Sequence, residues 1–377
     1  MSTEVKKFGT LKDGRDISLY ILKNENGTEA SFTDLGAAWV SMMVKDREGN
    51  FADVVFGYDD PEIYFNNPNS CGETIGRCAN RTSNAKFTLD GKEYELGKNQ
   101  NGLHNRHSGP EKWCKVRFTG EVEETKLGSR VSFHYIFPDG YQGFPGNLDF
   151  TVSYTLAEDD SLTIEYNAVA DKKTIINPTN HAYFNLRGHN AGDIGGHLVW
   201  INADYYTPTD AESIPTGELA DVVGTPMDFT LEKPLGQDID ADFEQLKLVG
   251  GYDHNWCINR WDGTLRLAAK AKDPESGRKL KVYTTLPGVQ FYTGNGLKDD
   301  APKGKGGADY SRRTGFCFEG QYWPDAVNKG EDWPKPVFEA GEPYHHYIVY
   351  KFVTRMDETD EDEDESLTAD QAKENEV

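Results

Sequence analysis

Apolar residues recur at every second position over long stretches of this chain. Leu148, Phe150, Val152, Tyr154 and Leu156 alternate with polar residues, and Leu162, Ile164, Tyr166 and Ala168 do so again. A period of two puts each set on one face of a half-buried strand. Glu158-Asp159-Asp160-Ser161 lies between them as a turn, so the two runs predict an antiparallel hairpin. Phe87 and Leu89, then Asp90-Gly91, then Tyr94 and Leu96 repeat the device around a tight turn of the Asp-Gly type. Arg47-Glu48-Gly49-Asn50 separates two further strand candidates. Helical spacing is scarce, and residues 241–248 are its best candidate. Glycines (38) and prolines (17) are spread through the body, as many strands joined by turns require. The chain reads as all-β. Its 377 residues fit one large β-sandwich, and no repeat or internal linker marks a domain boundary.

Charge adds a boundary near the end. Acids outnumber bases 63 to 40, a net charge of −23, and residues 356–377 hold 11 of the acids and one lysine. The run 357–365, acidic at every position but Thr359, repels itself and has nothing to bury, so a disordered tail over 356–377 is expected after a single domain over 1–355. Without the tail the body is still acidic, which argues against a nucleic-acid or anionic-membrane partner. The five cysteines (Cys71, Cys78, Cys114, Cys257, Cys317) are scattered, with no C-x-x-C pair for a zinc site or disulfide framework. The N-terminus lacks an apolar signal stretch, and the longest apolar run, residues 35–44, is too short to span a bilayer. A reduced, soluble, cytoplasmic protein is the expectation.

Polar clusters interrupt the strand pattern at six places. They are residues 76–81 (Gly-Arg-Cys-Ala-Asn-Arg), 103–110 (around His104 and His107) and 177–185 (Asn-Pro-Thr-Asn-His-Ala-Tyr-Phe-Asn). The others are 251–255 (Gly-Tyr-Asp-His-Asn), 287–295 (Pro-Gly-Val-Gln-Phe-Tyr-Thr-Gly-Asn) and 317–325 (Cys-Phe-Glu-Gly-Gln-Tyr-Trp-Pro-Asp). Singly, each has an ordinary structural alternative. His181 could bond the backbone of a turn, Asp253 could serve a turn, and Gln290 with Tyr292 could form a hydrogen-bonded rim. Glu319 follows Gly315-Phe316-Cys317-Phe318, where a carboxylate is costly unless it is paired or functional.

The histidines lack metal-site spacing, and no dinucleotide, phosphate-loop or nucleophile-elbow motif is present, so neither metal nor cofactor is expected. Jointly the clusters offer a buried-looking carboxylate, histidines, an Asn-Arg pair, an Asp, a Gln and aromatic rings. That inventory suits a neutral polyol: amides, Arg and Asp bond hydroxyls while rings cover the apolar side of a pyranose. Glu and His are a natural base and acid near neutral pH.

In order and content these segments resemble the aldose 1-epimerase (galactose mutarotase) family. Family members carry G-R-x-A-N-R, matched by residues 76–81, then a His-Gly-Gly-like segment, matched by His107-Ser108-Gly109-Pro110. T-N-H-x-Y-F-N-L is matched by residues 179–186, and Gly-Tyr-Asp-His by residues 251–254. P-x-x-Q-F-Y-(T/S)-G-N and Glu-x-Gln-x-x-Pro-Asp-x-x-Asn are matched by residues 287–295 and 319–328. The strand-like flanks extend the likeness over residues 8 to 355.

The resemblance implies a large antiparallel β-sandwich, the galactose mutarotase-like supersandwich, with its site in a cleft of one sheet. It implies Glu319 as general base and His181 as general acid, with Asn80, Arg81, His107, Asp253 and Gln290 holding the sugar. The implied reaction interconverts the α and β anomers of a free hexose of galactose or glucose type, without cofactor or metal. The protein would act as a monomer or homodimer. His104 competes with His107 for the histidine role, and Gly109-Pro110 favours His107. Departures fall beside the substrate: Ser108 replaces a glycine, Gly320 and Tyr322 flank the glutamate atypically, Leu286 stands where a polar residue is frequent, and Glu111-Lys112-Trp113 follows the histidine loop.

Three rivals remain open at this point. A glycosidase would pair Glu319 with Asp253 or Asp325. A sugar-binding module would need no Glu–His pair. A hexose-6-phosphate 1-epimerase would use Arg81, Arg312 and Arg313 for the phosphate.

Overall fold

The computed structural model describes residues 2–354, so the expected tail at 356–377 lies outside the described residues. Strand alternation is realised as predicted. Leu148–Ala157 and Ser161–Ala170 pair antiparallel, with Leu156 opposite Leu162, and their inward residues are fully buried. Lys86–Leu89 and Lys92–Glu95 form the second hairpin, with Asp90 and Gly91 both at positive φ. That is the backbone an Asp-Gly turn supplies. Ala38–Lys45 and Phe51–Asp53 pair on either side of the 47–50 turn. The helical expectation is met by the one-turn helix Glu244–Val249.

Three sheets of five or more strands make two layers. The large one has nine strands, and its order is non-local. The last strand, Pro343–Val353, is inserted between Ser161–Ala170 and Lys279–Thr284. Opposite it lie a five-stranded N-terminal sheet (residues 2–53) and a second five-stranded sheet containing Asp253–Cys257, Gly288–Tyr292 and Cys317–Gln321. The backbone around Phe184 stitches these smaller sheets together, bridging to Val55 on one side and Phe316 on the other. Aromatic packing closes the interface between layers. Phe32 stacks on Tyr154 with ring centroids 4.3 Å apart, and Trp39 meets Tyr350 at 5.5 Å. The Tyr350 hydroxyl donates to the Phe318 carbonyl at 2.7 Å. One continuous apolar core runs through both layers, as a β-sandwich requires.

Candidate active site

In the second five-stranded sheet, alternation sorts core from chemistry. Trp256, Val289, Phe291 and Phe318 point into the core, and their sequence neighbours point the other way. On that outer face the strand register builds two rows. Asp253, Tyr292 and Cys317 are opposite one another, and so are Asn255, Gln290 and Glu319. The Gln290 amide donates to Asp253 Oδ1 at 2.7 Å, tying the rows together. Asp253 opens a strand rather than serving a turn.

His181 arrives on a different segment. Its backbone N–H donates to Glu73 O and its carbonyl accepts from Gly72 N–H, each at 3.0 Å, while the bridge at Phe184 fixes the chain three residues on. This holds the imidazole over the strand carrying Glu319. Nε2 lies 3.8 Å from Glu319 Oε1, and Nδ1 lies 3.6 Å from Cys317 Sγ. The gap to the carboxyl exceeds a hydrogen bond.

Arg81 and Asn80 come from a third segment. Arg81 Nη2 reaches Asp253 Oδ2 at 3.3 Å, and Arg81 Nε donates to Gln100 Oε1 at 3.0 Å. Asn80 N–H donates to His107 Nδ1 at 3.2 Å. A neutral imidazole that accepts at Nδ1 carries its proton on Nε2, so His107 offers a donor. The ring sits edge-on to His181 with centroids 5.4 Å apart. Together these segments enclose an open, polar-lined cleft.

Burial dominates the electrostatics. Glu319 is 2% exposed, and desolvation followed by the charge of Asp253 pushes its carboxyl well above the usual range. Its Oε2 has no partner among the described residues. Burial lowers His181 to about 3. His107 is also pushed well below its ordinary value, by burial and then by the neighbouring Arg106 charge. Burial works the other way on Asp253, yet Arg81 and the Gln290 hydrogen bond hold it below the usual carboxylate range. The site therefore contains one fixed anion and one carboxyl poised to hold a proton.

Of the seven residues expected from sequence, Asn80, Arg81, His107, His181, Asp253 and Glu319 line the cleft, and Gln290 supports it through Asp253. His104 lies elsewhere: its ring accepts from Asn84 N–H and meets Glu212, and its backbone holds the Gln100 loop that grips Arg81. Asp325 accepts from Ser83 and pairs with Lys329, while Arg312 and Arg313 bind the Gly250 carbonyl and Asp240. The sequence reading passed over Arg106, Asn69 and Ser70, which also line the cleft beside Tyr183 and Tyr292. His181, Cys317 and Glu319 offer ligand atoms within 4.8 Å of one another, close enough to hold a metal ion.

Comparison with known proteins decides the family. The aldose 1-epimerase model matches residues 18–351. The chain belongs to the aldose 1-epimerase family. It is 43% identical over 317 residues to galactose mutarotase of Bos taurus, covering 84% of this chain and 89% of that protein. It is 36% identical over 343 residues to aldose 1-epimerase of Escherichia coli K12, covering 90% and 96%. A crystal structure of galactose 1-epimerase from Lactobacillus acidophilus superposes with a TM-score of 0.81 at 27% identity, covering 93% and 98%. A GalM/aldose epimerase homologue from C. elegans gives 0.79 at 27%, covering 88% and 98%. The two solved structures share the fold of this chain. Glycosidase and simple binding-module readings fall with the family assignment.

Proposed function

We propose that this protein interconverts the α and β anomers of a free, unphosphorylated hexose, with Glu319 as general base and His181 as general acid. The observation that carries the reading is the 3.8 Å approach of His181 Nε2 to Glu319 Oε1 in a cleft lined by Asp253 and Arg81. A hemiacetal opens when a proton leaves the C1 hydroxyl and another reaches the ring oxygen. Those two oxygens share one carbon, so one acid and one base facing the same point suffice. Glu319 takes the first proton and His181 Nε2 delivers the second. Rotation about C1–C2 presents the other face of the aldehyde, and the roles reverse on closure. Each positioned proton transfer contributes about 10²–10⁴ in rate, and fixing the sugar adds more.

The remaining polar groups hold the ring. Asp253 accepts from hydroxyls, its charge fixed by Arg81, and His107 Nε2–H donates. Tyr183 and Tyr292 offer apolar ring faces. Arg312 and Arg313, two of the three arginines a hexose 6-phosphate reading would use, lie outside the cleft and already have partners. The domain is proposed to span 1–355 and to act in the cytoplasm as a monomer or homodimer.

Polarimetry of freshly dissolved α-galactose and α-glucose tests the reading. Purified protein in EDTA should accelerate mutarotation, and Glu319→Gln should lose most of the acceleration while staying folded. Activity lost in EDTA and restored by a divalent metal would instead make the His181–Cys317–Glu319 cluster a metal centre.

A further inference from the structure

The cations near the cleft differ in how they are partnered. Arg81 is bound by Asp253 and Gln100, and Lys112 by Glu73 and Ser70. Arg106 lines the same cleft, yet no acid or carbonyl among the described residues takes a hydrogen bond or ion pair from its guanidinium. Its position is set by backbone, not by a partner. Asn105–Arg106 pairs antiparallel with Arg81–Thr82, and Arg106 stands directly opposite Arg81. Directly opposed residues share a face, so both guanidinium groups project toward the cleft. Like charges so placed are unfavourable, and the direct ion pair of Asp253 is with Arg81. The charge of Arg106 is felt at Glu319, His181, His107 and Asp253.

Depth assigns the two ends of the substrate. Glu319 and His181 are 2% and 6% exposed and form the floor, whereas Arg106 is exposed at the mouth. A hexose that places O1 and its ring oxygen between Glu319 and His181 must turn its remaining hydroxyls toward the mouth. We propose that Arg106 is a further substrate-binding residue, forking its N–H groups onto hydroxyls of the hexose remote from C1. The inference rests on the mutarotase reading and adds to it a determinant of sugar preference. A planar fork with free donors matches a pair of neighbouring hydroxyls, and a lysine ammonium does not reproduce it.

The test is polarimetric kinetics of wild type, Arg106→Ala and Arg106→Lys on galactose, glucose and galactoses lacking one hydroxyl. Loss of a hydrogen bond to a charged group should raise KM for the preferred hexose roughly 10- to 100-fold in Arg106→Ala, with kcat changed far less. Arg106→Lys should recover only part of that loss. The deoxygalactose lacking the contacted hydroxyl should be a poor substrate for wild type, and its disadvantage relative to galactose should collapse in Arg106→Ala. An Arg106→Ala protein with KM within about twofold of wild type, or with every deoxy-sugar penalty intact, overturns the inference while leaving the mutarotase reading standing. A wild type inert on every aldose overturns both.

Discussion

Glu319 and His181 are best treated as one titrating unit, because their environments push their proton affinities in opposite directions. An exposed pair with ordinary values would hold a single proton only between about pH 4.3 and 6.5. Here the second proton is refused until about pH 3, since burial depresses His181. The last proton is kept to higher pH than usual, since burial and Asp253 raise Glu319. The singly protonated pair is the reactive one: ring opening draws on the arrangement with the proton on His181 and Glu319 ionised, which burial makes the less populated of the two, and leaves the reverse. The window of kcat/KM should therefore be wider than ordinary at both edges. A profile of kcat/KM that declines with a midpoint near 6.5 would show that burial does not control the pair. Asp253 is held ionised and should not add a limb in this range. In kinetics, Glu319→Gln and His181→Asn should each lower kcat strongly with little change in KM, and the double variant should lose much less than the product. Melting curves separate this from a folding effect, because removing an uncompensated buried carboxyl is neutral or stabilising. Asp253→Asn should instead act mainly on KM.

Elements explain why part of the site was legible in sequence and part was not. Long hairpins such as Leu148–Ala157 with Ser161–Ala170 alternate core-facing apolar residues with polar ones over most of ten positions each, so period two is unmistakable in the sequence even though Ser153 and Thr155 are buried. The strands that deliver Asn80, Arg81, Arg106 and His181 are two residues long and leave no period to read. Their segments stand out in the sequence only as polar interruptions of the strand pattern, the roles of Asn80, Arg81 and His181 come from the family resemblance, and Arg106, inside the cluster 103–110 but between the matched positions, was given none. The helix Pro61–Asn66 was missed as well, although Asp60 caps Glu62 N–H and proline occupies its first turn, both readable start signals. The position of Pro343–Val353 deep inside the large sheet is set by pairing across more than 170 residues, which no local pattern encodes.

The same scale explains the glycine that opens residues 76–81. A Cβ at Gly76 would meet the buried Trp113 indole at 2.1 Å. Trp113 is itself stacked on Phe137 at 4.3 Å and wedged against Phe150 at 4.6 Å, so it has nowhere to move. Gly76→Ala should therefore destabilise by about 1–3 kcal/mol through overpacking. Thermal melting checks this; an unchanged melting temperature would mean that the indole relocates freely. The motif glycine is then a packing requirement that places Asn80 and Arg81, not a substrate contact.

For the whole molecule, the sandwich gives the site a rigid back and leaves it a wet front. Strand Cys317–Gln321 presents Glu319 to the cleft, and behind it Phe318 packs into the core while its carbonyl accepts from Tyr350 of the large sheet. Everything the cleft uses lies between residues 68 and 319. The family match ends at residue 351, and the ladder of Pro343–Val353 is completed by Val353 opposite Lys279. Catalysis and the core thus both close before the acidic segment begins. Deleting residues 357–377 removes 11 acids and one lysine and moves the net charge from −23 to −13. The deletion relieves self-repulsion in an already acidic chain. The truncated protein should melt within about two degrees of the full chain and turn over hexose at the same rate. The checks are a melting curve and polarimetry on both proteins at equal ionic strength, since screening changes with the charge removed. A fall of several degrees, or a marked rise in KM, would show that the acidic segment docks on the body and serves the site.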